Sequence, residues 1–150
     1  MSTYVGIDPG KSGGIAAIHP DEVCVYPTPV SGKEYLEQDM ARLIPARNGV
    51  KAAIEKQQAR PGQGRTSMFT IGEGYGLWRG MLAALMVPYV VVQPKDWRKA
   101  VGLTGDKADA VALAQRMFPS VADQLVGPQG GLRDGLAEAL LIAEYARRLG

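Results

Sequence analysis

The chain has 150 residues, of which 46% are hydrophobic and 21% charged, with a formal net charge of +2 at pH 7 and a pI of about 8.7. That length supports one substantial core and excludes two independent catalytic domains, so we expect a single domain over residues 1–150. No apolar run approaches the roughly 18 residues of a membrane span, and no signal-like segment follows Met1. We therefore expect a cytoplasmic protein without membrane contact.

The first half of the chain predicts mostly strands. Residues 4–8, 14–18 and 23–26 are short runs rich in β-forming residues, and a glycine-rich turn separates the first two. Ser31 and Glu34 have the S-x-x-E form of a helix capping box, and apolar residues at helical spacing follow them. This pattern predicts a first helix that begins at the box and ends near Asn48 and Gly49.

The second half predicts two more strands among three helices. Residues 50–54 form a fourth strand-like run, and residues 88–94 form a fifth one bracketed by prolines. Between them, residues 67–86 have apolar side chains at helical spacing. Two further helices are predicted over residues 104–118 and from residue 132 to the end. Three consecutive strands followed by strands that alternate with helices predict an α/β protein of the ribonuclease H-like fold, with a five-stranded mixed sheet flanked by helices.

The long helix carries a stripe of glycines. Gly72, Gly76 and Gly80 recur every fourth residue, and each costs about 1 kcal/mol of helix propensity relative to alanine. Such a stripe predicts that another backbone approaches closely there. We interpret this face as a packing surface and a candidate dimer interface.

Two patterns elsewhere have simple interpretations. Gly10, Lys11 and Ser12 imitate the end of a phosphate-binding P-loop, but Val5 stands where the motif requires its first glycine and no helix follows. We therefore expect no nucleotide cofactor. The single cysteine, Cys24, excludes an intrachain disulfide and a cysteine-based zinc cluster, and its apolar neighbours predict a small core residue. His19 precedes Pro20 at the end of a strand and is predicted to be exposed.

Acidic residues end two of the predicted strands and recur in the last helix. Asp8 follows the apolar end of the first strand, and Glu55 follows the fourth in the same way. If these strands are parallel neighbours, both side chains point into the crevice at their carboxyl ends, where ligand sites of open α/β sheets collect. Asp134 and Glu138 are four residues apart and share one helix face. Alone, Asp8 would suit a turn and Asp134 a helix N-terminus.

Carboxylates crowded together require cations or protons among them. A like-charge pair 4 Å apart costs about 4 kcal/mol at an effective dielectric constant of 20. Oxygen ligands without nitrogen or sulfur suit Mg²⁺ or Mn²⁺. Two such ions in one site can activate a water molecule and stabilise the leaving oxygen of a phosphodiester. Asp8, Glu55, Asp134 and Glu138 are therefore candidate metal ligands.

Four segments of the chain together resemble the active-site segments of RuvC-like Holliday junction resolvases, particularly the phage-encoded branch. They are GIDPG at residues 6–10, AIEK at 53–56, GDK at 105–107 and EALLIA at 138–143, in the family's order. The resemblance implies a homodimeric nuclease of DNA recombination and repair that binds a four-way junction and nicks it symmetrically. It also implies that Lys107 contacts the scissile phosphate or the attacking water, although a solvated lysine in a first helical turn is an equal alternative.

The final segment departs from the usual family pattern. Bacterial members usually end in D-x-x-D or H-x-x-D, whereas this chain has D-x-x-x-E at Asp134 and Glu138. How these two residues share the metal ions therefore stays open, and so does any preference for the nucleotides at the cut.

Candidate DNA contacts follow the fourth strand. Lys56, Arg60 and Arg65 lie in a polar, glycine-containing stretch without an acid, which favours contact with phosphates. A solvated turn is the alternative. Phe69 is predicted either to stack on an unpaired base or to pack in the core, whereas Tyr75, Trp78 and Trp97 are predicted to be packing residues.

Three other functions fit parts of the sequence. A junction-binding module without cleavage fits the altered last segment. A nuclease for flaps or RNA–DNA hybrids would use the same chemistry. An actin-like ATPase has a similar opening motif, but that fold needs two such domains and this chain has room for one.

Overall fold

The computed structural model describes residues 1–150 and contains one large sheet covered by helices on both faces. Its strands are β1 (Thr3–Asp8), β2 (Gly14–Ile18), β3 (Val23–Pro27), β6 (Val50–Glu55) and β7 (Tyr89–Val92), and a separate two-stranded hairpin consists of β4 (Val30–Ser31) and β5 (Glu34–Tyr35). The helices are α1 (Glu37–Leu43), α2 (Arg65–Ala84), α3 (Pro94–Ala100), α4 (Lys107–Met117) and α5 (Asp134–Leu149), with a 3₁₀ helix over Pro119–Leu125.

The strand order is β3-β2-β1-β6-β7. β1 pairs antiparallel with β2 on one side and parallel with β6 on the other, and β6 pairs parallel with β7. The predicted five-stranded mixed sheet with flanking helices is therefore confirmed. β1 lies at the centre, where the direction of pairing changes, which is where α/β sheets place their ligand sites.

The two faces of the sheet bury different helices because side chains alternate along each strand. On one face Val5 and Ile7 of β1 pack with Trp78 and Leu82 of α2, together with Met40 of α1. On the other face α5 lies across β1 and β2 and packs against α4. This second core contains Trp97 of α3 and most of the apolar residues of α5. By the same alternation of side chains, Asp8 and Glu55 point towards this second face.

The predicted first helix is present, but its predicted start at the capping box is wrong. Ser31 and Glu34 pair with each other in the β4–β5 hairpin, whose turn is at Gly32 with φ +59°. Glycine adopts this left-handed conformation without a steric penalty, and it reverses the chain where a helix would continue. Tyr35 is buried and donates a hydrogen bond from its hydroxyl group to the carbonyl oxygen of Thr70, at 3.1 Å. This tertiary contact overrides the local helical pattern, and α1 begins only at Glu37.

The sequence-based prediction also missed α3, whose first residue is Pro94. Proline suits the first helical position because its missing N–H group would have no partner there. The 3₁₀ helix was likewise missed, and α5 begins at Asp134 rather than at residue 132. None of the helices is long and apolar enough to cross a membrane.

Several single-residue expectations have different outcomes. Trp78 and Trp97 are fully buried, as predicted, but Phe69 is 73% exposed, so the core-packing interpretation of Phe69 is wrong. Cys24 is only partly buried and belongs to neither core, and His19 is partly buried rather than exposed.

No atom of the chain outside α2 lies within 4 Å of a Cβ placed at Gly72, Gly76 or Gly80. The close backbone approach predicted for this stripe is therefore not made within the chain.

Candidate active site at the carboxyl ends of the central strands

Asp8 and Glu55 are neighbours because of the register between β1 and β6. Ile7 pairs with Ile54 in the parallel ladder, and the two acids follow directly after this pair. Adjacent strands lie about 4.8 Å apart, so both side chains leave the sheet at one edge and on one face. That face is the one that α5 covers.

Two glycines allow α5 to lie close enough to bring its acids to Asp8, and a third lies in the turn beside Asp8. A Cβ at Gly6 of β1 would overlap the backbone of Ala139 and Ala143, and a Cβ at Gly135 would overlap the carbonyl oxygen of Ser12. At Gly13 a Cβ would overlap the backbone of Asp8 itself. The helix therefore contacts the β1–β2 hairpin at backbone distance. This contact places Asp134 and Glu138 over the end of β1.

The acids interact strongly with one another. The pKa of Asp8 is raised well above its usual value, first by burial and then by the charges of Glu138, Glu55 and Asp134. Burial is also the main cause that raises the pKa values of Glu55 and Glu138. Among the neighbouring acids, Glu138 raises the pKa of Asp8 the most. Without a cation, this cluster therefore retains protons that isolated carboxyl groups would lose.

Glu55 is held by two hydrogen-bond donors that the sequence analysis did not assign to the site. The indole N–H of Trp97 donates to Oε2 of Glu55 at 2.7 Å, and the amide of Gln57 donates to Oε1 at 3.2 Å. Both hydrogen bonds lower the pKa of Glu55 against the larger effect of burial. Trp97 was interpreted as a packing residue because its sequence neighbourhood is that of an ordinary buried aromatic. Pro94 was the one sign in the sequence that a helix begins here. That helix, α3, is the element that places the indole of Trp97 beside Glu55.

Arg98 is a second residue that the sequence analysis missed. Its guanidinium lies 3.6 Å from Oε1 of Glu138 and donates to the carbonyl oxygen of Gly105 at 2.6 Å. It therefore connects the acid on α5 to the loop that leads into α4. One arginine cannot neutralise four carboxylates, which leaves the cluster with excess negative charge.

Lys107 lies beside the acid cluster at the start of α4. The Asp106 carboxylate caps this helix by accepting hydrogen bonds from the amides of Ala108 and Asp109, and the Asp109 carboxylate accepts one from the amide of Asp106. The cap fixes the position of Lys107, the first helical residue. Its Nζ lies 3.6 Å from Oδ2 of Asp134 while the side chain stays 77% exposed. Lys107 is thus near the acids and free to contact a substrate.

The candidate DNA contacts lie on the next segments of the chain. Lys56 and Arg60 line a polar cavity of about 290 Å³ together with Glu55. The amide of Arg60 donates to the Gln63 side chain at 2.9 Å, which stabilises a turn in this loop. Arg65 and Phe69 lie on the first turns of α2 and are exposed. Lys56 and Arg60 therefore flank the acids directly, whereas Arg65 and Phe69 extend the surface away from them.

The donor set fits a hard divalent cation. Asp8, Glu55, Asp134 and Glu138 offer carboxylate oxygens, and no histidine or cysteine lies among them. Mg²⁺ and Mn²⁺ prefer such oxygen ligands, and their charge would relieve the repulsion that raises these pKa values. The cluster thus has the chemistry of a divalent metal site.

Comparisons with known proteins identify the fold. No family model and no curated protein matches the sequence. A solved structure of Thermus thermophilus RuvC in complex with a Holliday junction substrate is similar, with a TM-score of 0.61, 16% identity, and coverage of 99% of this chain and 96% of that one. A second Thermus thermophilus RuvC structure gives a TM-score of 0.58 and 20% identity, over 97% of this chain and 96% of that one. The chain therefore has a RuvC-like, ribonuclease H-like fold.

Proposed function

We propose that this chain is a metal-dependent endonuclease that resolves four-way DNA junctions. The observation that carries the proposal is the convergence of Asp8, Glu55, Asp134 and Glu138 at the central strand of a RuvC-like fold. Similarity to a protein that was solved with a Holliday junction supports this substrate among the possible nucleic acids. We further propose that residues 1–150 act as one domain.

The four acids would hold two Mg²⁺ or Mn²⁺ ions. When bound, such ions supply an activated water molecule and stabilise negative charge on the leaving oxygen. Asp8, Glu55 and Glu138 would together hold one of these ions, because their carboxyl groups lie close enough to raise one another's pKa values. Trp97 and Gln57 orient the Glu55 carboxylate through their hydrogen bonds. Arg98 holds Glu138 at a fixed position relative to α4.

Cationic side chains around the acids would bind the DNA backbone. Lys107 is exposed beside Asp134, where its ammonium group can donate to the scissile phosphate. Lys56, Arg60 and Arg65 would contact phosphates of the flanking nucleotides. Phe69 presents a largely exposed ring, which suits stacking on an unpaired base at the branch point.

We propose that the active form is a homodimer that uses the outer face of α2. Gly72, Gly76 and Gly80 lie on this face, and no other part of the chain lies within 4 Å of a Cβ placed at any of them. Small residues permit two helices to approach closely, and a two-fold dimer matches the approximate two-fold symmetry of a four-way junction. A monomeric state at micromolar concentration, both with and without junction DNA, would contradict this part of the proposal. The phage-encoded origin and the cytoplasmic location remain predictions.

The test is cleavage of a synthetic four-way junction, with a linear duplex, a flap and an RNA–DNA hybrid of matching sequence, in Mg²⁺ or Mn²⁺. We expect paired nicks on the junction only, lost in Asp8→Asn while junction binding is retained. Asp123→Asn is the matched control because this exposed aspartate lies in the 3₁₀ helix. Cleavage of the flap or the hybrid in preference to the junction would mean that the four-way junction is not the substrate. Binding of the junction without any cleavage would favour a junction-binding module.

A further inference from the structure

A second group of metal-binding side chains lies at the far end of the sheet. His19, Glu22 and Cys24 each offer one ligand atom, and these three atoms all lie within 4.8 Å of one another. We propose that they form a Zn²⁺-type site that is independent of the carboxylate cluster.

The β2–β3 hairpin brings the three side chains to one face. Ala17 pairs with Cys24 in the antiparallel ladder, and the amide of His19 donates to the carbonyl oxygen of Glu22 at 2.9 Å. Directly opposed residues, and residues two apart on one strand, share a face of the sheet. The ladder thus fixes three potential ligands within one tight turn, and little backbone entropy is left to lose when an ion binds.

The chemistry of the three donors selects the ion. Imidazole, thiolate and carboxylate together suit a borderline-soft cation such as Zn²⁺, whereas Mg²⁺ binds oxygen ligands. In a tetrahedral Zn²⁺ site with metal–ligand bonds of about 2.0–2.3 Å, the ligand atoms lie roughly 3.4–3.7 Å apart. Rotation of the exposed Glu22 side chain and of the Cys24 side chain can shorten the distances between the three ligand atoms to these values. Asp21 lines the same cavity, of about 340 Å³, and offers an oxygen for the fourth position.

Arg47 is the group that a metal ion must displace. Its guanidinium lies 2.9 Å from Nδ1 of His19 and 3.1 Å from Oγ1 of Thr3, which itself lies 3.1 Å from the same Nδ1. An arginine can only donate, so Nδ1 accepts and the imidazole proton is on Nε2. A metal on Nδ1 takes the place of Arg47 directly. A metal on Nε2 moves the proton to Nδ1, where it can be donated to Thr3, and Arg47 must again leave.

The site is well separated from the proposed nuclease centre. His19 contacts Thr3 at the start of β1, whereas Asp8 ends the same strand. Five residues of extended chain span about 17 Å. Metal binding at the hairpin therefore does not depend on the acids of the other site, and the two sites can be tested separately.

The experiment is a titration of chelator-treated full-length protein with Co²⁺, followed by displacement with Zn²⁺. Thiolate ligation gives a near-ultraviolet charge-transfer band that carboxylate sites do not give. We expect this band in the wild type and in Asp8→Asn, no displacement by excess Mg²⁺, and loss of the band in Cys24→Ser. His19→Asn should weaken Zn²⁺ binding at least tenfold, and Arg47→Ala should strengthen it several-fold.

Other outcomes would overturn the proposal. Absence of the band in the wild type would exclude thiolate ligation, and its loss in Asp8→Asn would mean that the ion binds at the acid cluster instead. Unchanged or weaker Zn²⁺ binding in Arg47→Ala would exclude His19 as a ligand. None of these measurements uses DNA cleavage, so the result does not depend on the proposed nuclease activity.

Discussion

The two halves of α5 each carry a glutamate with little exposure, and their surroundings are opposite. Glu138 lies among other acids, and burial raises its pKa. The Glu144 side chain is 3% exposed and accepts hydrogen bonds from Arg147 at 2.6 and 2.7 Å and from Arg148 at 3.0 Å. Burial opposes the ionisation of Glu144 as well, but the hydrogen bonds from Arg147 and Arg148 outweigh it and lower the pKa.

The difference separates a structural acid from a candidate metal ligand. Arg148 also donates to the carbonyl oxygen of Ala100, so the arginines around Glu144 tie the end of α5 to the end of α3. Nothing comparable neutralises the cluster around Glu138, where Arg98 lies 3.6 Å from Glu138 and the exposed Lys107 lies 3.6 Å from Asp134. A folded chain tolerates repelling carboxylates when a cation that is not part of the chain balances them. Exchanging one glutamate and then the other therefore tests this distinction directly.

The largest expected difference is in catalysis. Glu138→Gln should reduce junction cleavage at least about 100-fold, which corresponds to about 2.7 kcal/mol of barrier, because it removes a proposed metal ligand. Glu144→Gln should leave the rate per folded molecule unchanged. Single-turnover cleavage in Mg²⁺ measures both. Equal loss of activity in the two variants would mean that α5 acts only as a structural support.

Stability should respond in the opposite order. Glu144→Gln should lower the free energy of unfolding by about 2 kcal/mol, because charge-assisted hydrogen bonds to two arginines are lost. In metal-free protein at neutral pH, Glu138→Gln should be neutral or stabilising because it removes a repelling charge. Urea denaturation after treatment with a chelator checks both values. A destabilised Glu138→Gln would contradict the excess of negative charge that we assign to the cluster.

The two buried tryptophans provide a smaller, matched comparison. The indole N–H of Trp97 donates to Glu55, whereas the indole N–H of Trp78 is buried without a partner. Trp97→Phe should slow cleavage about tenfold, since about 1.4 kcal/mol is typical of one hydrogen bond to a charged group. Trp78→Phe creates a similar cavity on the α2 face and should leave the cleavage rate unchanged. If both variants slow cleavage equally, core packing explains the effect and the hydrogen bond does not.

The smallest effect is the pH dependence of stability in metal-free protein. The raised pKa values of Asp8, Glu55 and Glu138 mean that the folded state binds protons more tightly than the unfolded state. Their contribution is therefore greatest below the usual carboxyl pKa and falls as pH rises through the raised values. Glu144 has the reverse sign, and its contribution is lost as pH falls through its lowered pKa.

Thermal unfolding at several pH values, with and without Mn²⁺, measures this balance. We expect metal-free protein to lose stability between a pH near the usual carboxyl pKa and a pH above neutrality, and Mn²⁺ to restore it at the higher pH. Asp8→Asn should flatten this dependence. A wild-type protein that Mn²⁺ stabilises equally at both pH values would contradict titration of the acid cluster in this range.

Much of the site could be predicted from local sequence. Asp8 and Glu55 each follow an apolar strand, and Asp134 and Glu138 lie one helical turn apart, so their placement depends on periods of two and 3.6 residues. Trp97 and Arg98 could not be assigned to the site in this way. Both lie on α3, and their contacts join residues 42 and 40 positions apart in the chain. The repeat of apolar residues within one helix or strand does not indicate which residues 40 positions away it will contact.

The sequence by itself determined the succession of the five sheet strands along the chain, the mixed character of the sheet and the positions of four acids, because alternation of apolar residues and strand ends are local properties. Only the tertiary structure decided that the S-x-x-E segment forms a hairpin, since Tyr35 is held by Thr70 of α2. It also decided that Gly6 of β1 is covered by α5 while Gly72, Gly76 and Gly80 of α2 remain open. Glycine has the same local preferences at both places, and the difference depends on which helix packs against it.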